Sequence, residues 1–304
     1  MDLSIIIINY NSLEFLKSCL ESLEKITGPV SWEALAVDNG SSDGSVSYLE
    51  KMTQKRKNFK FFNAGKNLGF SLASNLAANE AEGDFLLFLN PDTRMLDSNL
   101  GDMLDFYAGK AKEEQVGIIG AKLLNPGGSL QYSCRSFPTL ARQFYESFFL
   151  YRIFRRSRIF GSYFLTWWDH ESTRAVDWLS GAFMLVDRKT FKKVGGFDAR
   201  FFMYSEDTDL ALRLKREGFT NYYYPFFKVE HNDSGIASRN SPKKIAEIWK
   251  SRVIYFKKNY SIFHGFTVGL LMFSGIVNRI VIGCLLLKKK KVLDNIKAIP
   301  IYFK

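Results

Sequence analysis

The 304-residue sequence predicts an α/β protein: a mostly parallel sheet with helices on both faces, followed by a basic and apolar helical segment. Three observations lead there. Short apolar, β-branched runs alternate with helix-like stretches over the first 125 residues, and strands joined through helices pair in parallel. Polar residues cluster just after each of the first four runs, where such sheets hold their ligands. The charge is segregated as well. Residues 241–304 contain 13 Lys/Arg against two acids, Glu247 and Asp294, whereas the residues before them balance at 29 against 29. The net charge of +11 therefore belongs to the end of the chain.

Residues 3–8 (LSIIII) form a continuous apolar run, the pattern of a strand buried on both faces. Asn11-Ser12-Leu13-Glu14 has the form of a capping box and predicts a helix to about residue 25. Residues 32–37 form the second strand, and Asp38-Asn39-Gly40 begins a turn into the next helix. Residues 59–62 are strand three, 70–81 a helix, 85–89 strand four and 116–123 strand five. Further on, 176–186 reads as one strand and Gly195-Gly196-Phe197-Asp198 as a turn. Ser205 caps a helix from 206 to 217, and a short strand follows at 222–224. Pro242 opens a basic helix to 258.

Composition excludes several classes. A neutral body lacks the basic stripe of a nucleic-acid protein, so no nucleic-acid partner is expected. Cys19, Cys134 and Cys284 are odd in number and far apart, which implies neither a disulfide framework nor a zinc ribbon and favours a reducing compartment. The opening run lacks a basic n-region and breaks at Asn9, unlike a signal peptide.

Seven pieces occur in order: 4–11 (SIIIINYN), 37–44 (VDNGSSDG), 67–75 (NLGFSLASN), 90–92 (NPD), 178–182 (WLSGA), 195–209 (GGFDARFFMYSEDTD) and His231. In that arrangement the chain resembles the inverting family 2 glycosyltransferases of GT-A fold, in particular the rhamnosyltransferase-like branch. The resemblance implies a nucleotide-diphosphate-sugar donor, with dTDP-rhamnose one candidate and the sugar and the base (uridine or deoxythymidine) left open, a divalent metal (Mg²⁺ or Mn²⁺) and an inverting mechanism. It also implies a GT-A domain over 1–240, with 1–125 the nucleotide-sugar-binding half and 126–240 the acceptor and catalytic half. Residues 241–304 are left as a membrane-associated region.

Inverting transfer needs a neutralised leaving group, a base for the acceptor hydroxyl and an in-line geometry. The resemblance carries these roles onto particular residues. Asp92 is the leading metal ligand, with Asn90 standing where the family pattern has a first Asp, and His231 the third candidate. Asn9, Asn11, Asp38, Asn67, Gly69 and Asn75 are expected to line the donor pocket. Trp178, Ser180 and Gly181 fall on the acceptor side. Asp207, second in the pair Glu206-Asp207, is the general base the family implies. Arg239 is a further candidate for the diphosphate, although a solvated arginine is the plainer reading, and His170 and His264 are read as structural.

Residues 266–287 are apolar except for Thr267, Ser274, Asn278 and Arg279, and Lys288–Lys291 follow. The length spans a bilayer, but a central Arg costs about 2.5–3.5 kcal/mol, so an interfacial helix competes with a true span. The aromatic and basic stretch at 144–168 reads as a second membrane contact, a lid over the acceptor or a subdomain core. Together these features predict a glycosyltransferase at the cytoplasmic face of the cell membrane, held peripherally or by one segment on an anionic surface. Its acceptor is expected to be a saccharide, in particular a lipid-linked one, in cell-surface polysaccharide synthesis. Two rivals stand beside this: a sugar-phosphate nucleotidylyltransferase, whose Gly-rich basic loop is absent after the first strand, and a non-catalytic scaffold binding nucleotide and membrane.

Overall fold

The computed structural model describes residues 1–233 and 241–303, which form two compact units. The first comprises Met1–Cys134, His170–Phe202 and Glu206–Asp233. The second comprises Arg135–Asp169, Met203–Ser205 and the described residues after 240. This division departs from the expected boundary at 240, because the aromatic segment after residue 134 folds with the C-terminal helices. Arg239 lies outside the described residues.

In the first unit, strands β1 (Leu3–Asn9), β2 (Trp32–Asp38), β3 (Phe59–Asn63) and β4 (Phe85–Leu89) alternate with helices α1 (Leu13–Leu23), α2 (Ser45–Lys55) and α3 (Gly69–Glu80). Their order is β3-β2-β1-β4, all parallel. β1 is buried along its whole length, as a strand covered on both faces must be. Leu3, Ile5 and Ile7 enter one apolar cluster with Leu16, Cys19, Leu20 and Leu23 of α1. Glu33, buried at the opposite end of the sheet from the ligand rim, accepts from Ser4 Oγ at 2.6 Å and pairs with Lys60 Nζ at 2.9 Å.

The sheet continues through β5 (Thr93–Met95), helix α4 (Gly101–Ala111) and β6 (Val116–Leu124); the two-residue strand β7 (Cys134–Arg135) marks the junction of the units in the chain. The expected strand at 176–186 is three short ones, β8 (Arg174–Val176), β9 (Trp178–Leu179) and β10 (Phe183–Asp187), because Asp177 and Ser180-Gly181 interrupt it. Helices α7 (Arg188–Lys193) and α8 (Glu206–Arg216) precede β11 (Thr220–His231), which extends well past the expected 222–224. β10 inserts antiparallel between β4 and β6, and β11 runs parallel to β6 and antiparallel to β5 and β8. The outcome is a mixed sheet with a parallel half. The capping box does not form: Ser12 makes no side-chain cap, and its Oγ donates instead to Asn9 Oδ1 at 2.6 Å.

The second unit contains α5 (Leu140–Ser147), α6 (Leu150–Ile153), α9 (Ser241–Asn259), α10 (Ile262–Leu285) and α11 (Lys289–Tyr302). Its core is aromatic and cationic. Phe144 packs on Phe148 with ring centroids 4.7 Å apart, Tyr151 on Phe164 at 4.6 Å and Trp249 on Tyr302 at 3.8 Å. The guanidinium of Arg252 lies 5.3 Å over Tyr163 and that of Arg135 5.0 Å over Phe164, contacts that let arginines enter an apolar core. Of the aromatic stretch, Tyr163 is buried and most of the other rings are half-buried or exposed, whereas Trp249, Tyr255 and Phe256 of α9 are buried. α10 is long and apolar enough to cross a membrane, with a mean hydropathy of 1.9. Its Asn278 donates to Ser147 O at 3.2 Å and its Arg279 lies over Phe149 at 5.3 Å, whereas Ile262, Phe266, Val281 and Leu285 are exposed.

Candidate active site

The C-terminal ends of β1, β2 and β4 carry the first polar residues. Asn9 and Asp38 end paired strands and are fully buried. Asn9 Nδ2 donates to Asp38 Oδ2 at 2.8 Å, and Asp38 Oδ1 accepts from Gly40 N at 3.0 Å and Ser41 N at 2.7 Å. Asp38 therefore organises the 38–41 turn from inside, and Asn9 supports it. Asn11, at a φ of 50°, accepts from Ser42 N at 2.8 Å and ties the first turn to the second.

The 67–75 segment is built around one close approach. Gly69 has φ of 79°, and a Cβ there would press into the carbonyl oxygen of Phe202. The approach expected toward a nucleotide is thus made toward the protein's own backbone: Phe70 N donates to that carbonyl at 2.7 Å. Exposed Asn67 accepts from Gly69 N at 2.9 Å, an Asx turn at the helix entrance. Asn75 is further off, clamping Phe197 by donating to its O at 2.7 Å and accepting from its N at 2.9 Å. Gly196 is held beneath this clamp, since a Cβ there would come 2.7 Å from Asn75 Oδ1. Arg213 completes the turn: paired with buried Asp209 at 2.8 Å, it donates to Gly196 O at 2.6 Å and to Val194 O. Phe197 meets Phe70, Phe88 and Phe191 edge to face, and Phe88 and Phe191 lie tilted against each other, which accounts for part of the high Phe content.

Asn90, Asp92 and His231, far apart in sequence, converge. β11 pairs with β5 so that His231 lies opposite Thr93. His231 Nε2 is 3.3 Å from Asp92 Oδ1 and 3.5 Å from Asn90 Nδ2. Gln131, which sequence reasoning did not single out, holds the other side of the ring, with Oε1 2.6 Å from His231 Nδ1. Its Nε2 donates to His231 O at 3.4 Å, so its oxygen faces the ring and Nδ1 carries the proton. Nε2 then turns its lone pair toward Asp92. Asn90 Nδ2 is the donor nearest that lone pair, and the Asp92 carboxylate beside it is a second acceptor that a cation could bridge to the ring. Among the described residues no group of three His, Cys, Asp or Glu gathers at one point. The donor set is one carboxylate, one imidazole and one amide, and it fits a hard cation that takes its remaining oxygens from substrate phosphates.

Asp207 reaches the same rim through β10. Phe183 of β10 pairs with Leu89 of β4, so the preceding loop lies at the end of β4. In that loop Gly181 N donates to Asp207 Oδ2 at 3.1 Å, and Ala182 O accepts from Asn90 N at 3.1 Å. One dipeptide thus ties Asp207 to the Asn90–Asp92 turn. Thr208 N donates to Asp207 Oδ1 at 2.6 Å, which leaves the half-buried carboxylate in a fixed orientation. Glu206 beside it is buried. Tyr204 and Ser205, both at left-handed φ (69° and 62°), deliver the chain into α8. Ser180 is half-buried and Gly181 buried next to Asp207. Trp178 is a correction: at 4% exposure its ring lies in the core and offers no open face on which a sugar could stack. His170 is buried between Tyr132 and Tyr223, a structural position as expected.

Comparison with known proteins agrees with this architecture. Residues 4–209 match the family described as Glycosyl transferase family 2. Over 279 residues the chain is 30% identical to the N-acetylglucosaminyl-diphospho-decaprenol L-rhamnosyltransferase of Mycobacterium tuberculosis, covering 85% of either chain. It is 30% identical over 237 residues to the rhamnosyltransferase WbbL of Escherichia coli K12, covering 75% of this chain and 82% of that one. The mannosyltransferase PcManGT of Pyrobaculum calidifontis, solved with GDP-Man and Mn²⁺, matches with a TM-score of 0.59 at 14% identity, over 99% of this chain and 86% of its own. At that identity the likeness speaks to the fold, and it bears out the GT-A-like α/β sheet.

Proposed function

Because the chain belongs to glycosyl transferase family 2 and its relatives make it a hexosyltransferase, we propose that it moves a sugar, rhamnose in the first instance, from a nucleoside-diphosphate donor to a lipid-linked saccharide, with inversion. The observation that supports this most is the Gly181-Ala182 dipeptide, which brings a fixed carboxylate, Asp207, to the rim that holds Asn90, Asp92 and His231. The relatives that act on diphospho-decaprenol-linked sugar and as rhamnosyltransferases supply the substrate class.

A divalent cation at Asp92, His231 and Asn90 would neutralise the leaving diphosphate. The rest falls to the chain's own residues. Asp207 accepts the proton of the acceptor hydroxyl as that oxygen bonds to the anomeric carbon. The bond from that carbon to the diphosphate breaks on the opposite face, and the nucleoside diphosphate leaves with the electron pair. Asp38 and Asn9 hold the backbone of the donor side, with Asn11 and Asn67 at its edge, and Gly69 and Asn75 fix the segments around it. Ser180 and Gly181 flank the base on the acceptor side. The exposed apolar face of α10 and the lysines after it suit a peripheral hold on an anionic, cytoplasmic membrane surface.

The deciding experiment is Asp207→Asn. It keeps the shape and one of the two hydrogen-bond acceptor positions, those facing Thr208 N and Gly181 N, but removes the base. Turnover is expected to fall by about 10²–10⁴-fold while nucleotide-sugar binding, read by calorimetry, persists. Near-normal turnover in this variant would overturn the assignment.

A further inference from the structure

The second unit contains a cavity of about 530 Å³ that no part of the transfer chemistry uses. Four segments line it. Arg152 follows Phe149 on α6, Lys244 and Ile245 come from α9, Arg279 from α10, and Lys288 and Lys291 from the start of α11. Five cations thus converge on one hollow, whose wall carries a single carboxylate, Asp294. Among the described residues, the salt bridges include none of Arg152, Arg279, Lys288 and Lys291. Arg152 and Arg279 lie over the same Phe149 ring, at 5.4 and 5.3 Å, so two like charges share one aromatic support. An anion between them removes that repulsion.

The remaining wall is apolar, supplied by Phe149, Ile245, Ile282 and Leu286. Its rim is more so: Leu285, Leu286 and Leu287, where α10 ends, are all exposed directly before Lys288. The floor is tight, since a Cβ on Gly283 would come 2.7 Å from Val292 Cγ2. Asn295 is 6% exposed, and among the described residues its Oδ1 has no hydrogen-bond partner. Cations within and leucines at the mouth match an anionic head joined to a hydrocarbon chain.

We propose that this cavity takes the diphosphate of a polyprenyl-diphosphate lipid, with the prenyl chain leaving over Leu285–Leu287; the choice of lipid rests on the lipid-linked acceptor proposed above. The diphosphate would lie between Arg152 and Arg279, with Lys288 and Lys291 at the mouth. Arg279, costly in a lipid-facing helix, thereby acquires a reason to be there.

The test is binding of the full chain to phosphatidylcholine vesicles carrying decaprenyl diphosphate. Vesicles with phosphatidylglycerol at equal surface charge and soluble inorganic pyrophosphate serve as the other arms. The assay involves neither donor nor turnover, so its outcome is independent of the role of Asp207. Decaprenyl-diphosphate vesicles are expected to bind at least about tenfold better than phosphatidylglycerol vesicles, a difference of about 1.4 kcal/mol. The pair Arg152→Gln/Arg279→Gln should abolish that preference. Lys288→Gln/Lys291→Gln, which changes only exposed side chains and leaves the fold intact, should reduce it, whereas Lys297→Gln, outside the cavity, should not. Equal binding to both anionic vesicles would reduce the site to a general basic surface and overturn the proposal. So would tight pyrophosphate binding that vesicles do not improve, or an undiminished preference in both cavity variants.

Discussion

At the scale of single residues, the histidine ring shows how a site is poised without any change of composition. His231 has Nδ1 against Gln131 Oε1 at 2.6 Å and Nε2 toward Asp92 at 3.3 Å. Such outer partners fix both tautomer and ring direction, and losing one typically costs 10–100-fold in metal affinity. On the proposed cation site, Gln131→Leu should weaken Mn²⁺ binding measured with nucleoside diphosphate present by about that factor. Gln131→Glu, which can still accept from Nδ1, should restore most of it. A leucine variant that binds Mn²⁺ normally would show that the ring needs no such support. Behind the same turn lies Cys19, its Sγ 3.7 Å from Asn90 O. Burial pushes its thiol up to about 12, and the charge of Asp92 adds to the rise while Thr93 opposes it. A thiol at neutral pH is a poor nucleophile. Of the three free cysteines, exposed Cys284 should take iodoacetamide first, with buried Cys19 and Cys134 protected until the chain unfolds; mass spectrometry of the alkylated peptides reads the order directly.

At the scale of elements, the entrance of α3 at the rim is held by a close approach that leaves no room for a Cβ. Gly69→Ala places a Cβ at φ of 79° and against Phe202 O. The left-handed conformation alone costs about 1–2 kcal/mol for a non-glycine residue, and the collision adds to it. The expected result is a lower urea midpoint with an unchanged slope, and an unchanged midpoint would show that the α3 entrance can shift freely. The same region marks where sequence reading ended. Parallel strands β1 to β4 were legible to within a residue or two because each is a bounded apolar run, and the polar residues at their ends followed from topology. Asn75 reads as a donor-pocket residue from its motif, yet it spends its amide on Phe197, 122 positions later. Gln131 has no motif at all. A side chain that pairs with distant backbone, or with a ring on another strand, leaves no periodic trace along the chain. The split of 176–186 into three strands was equally hidden, since what breaks it is the return of Ser180 N to Ser133 O and of Gly181 N to Asp207.

At the scale of the molecule, the residues before 241 are neutral and the excess charge lies after them, although the arginines of residues 135–169 fold with the second unit. Neutrality in the first part still leaves individual carboxylates that govern how stability responds to pH. Glu33 is the clearest, because it joins three strands and the loop before a fourth. It accepts from Ser4 Oγ at 2.6 Å on β1 and from Glu82 N at 2.7 Å ahead of β4, and it pairs with Lys60 of β3 at 2.9 Å. Burial alone would raise its pKa, but the hydrogen bonds from Ser4, Lys60 and Glu82 together outweigh that and hold it below the ordinary 4.5. The folded-state value lies under the unfolded one, so on acidification the unfolded chain gains the proton first. The stability from this group is therefore complete above about pH 4.5 and disappears as pH falls through the folded value. Glu33→Gln should lower stability at neutral pH by about 1–3 kcal/mol, the cost of leaving buried partners unmet. It should also flatten the acid limb of a plot of urea midpoint against pH. Other depressed carboxylates, such as Asp2 and Asp43, are retained in the variant, so the difference between the two curves belongs to Glu33. Parallel acid limbs for the two proteins would mean that Glu33 keeps its proton affinity on unfolding and that the junction of the four strands is held by packing alone.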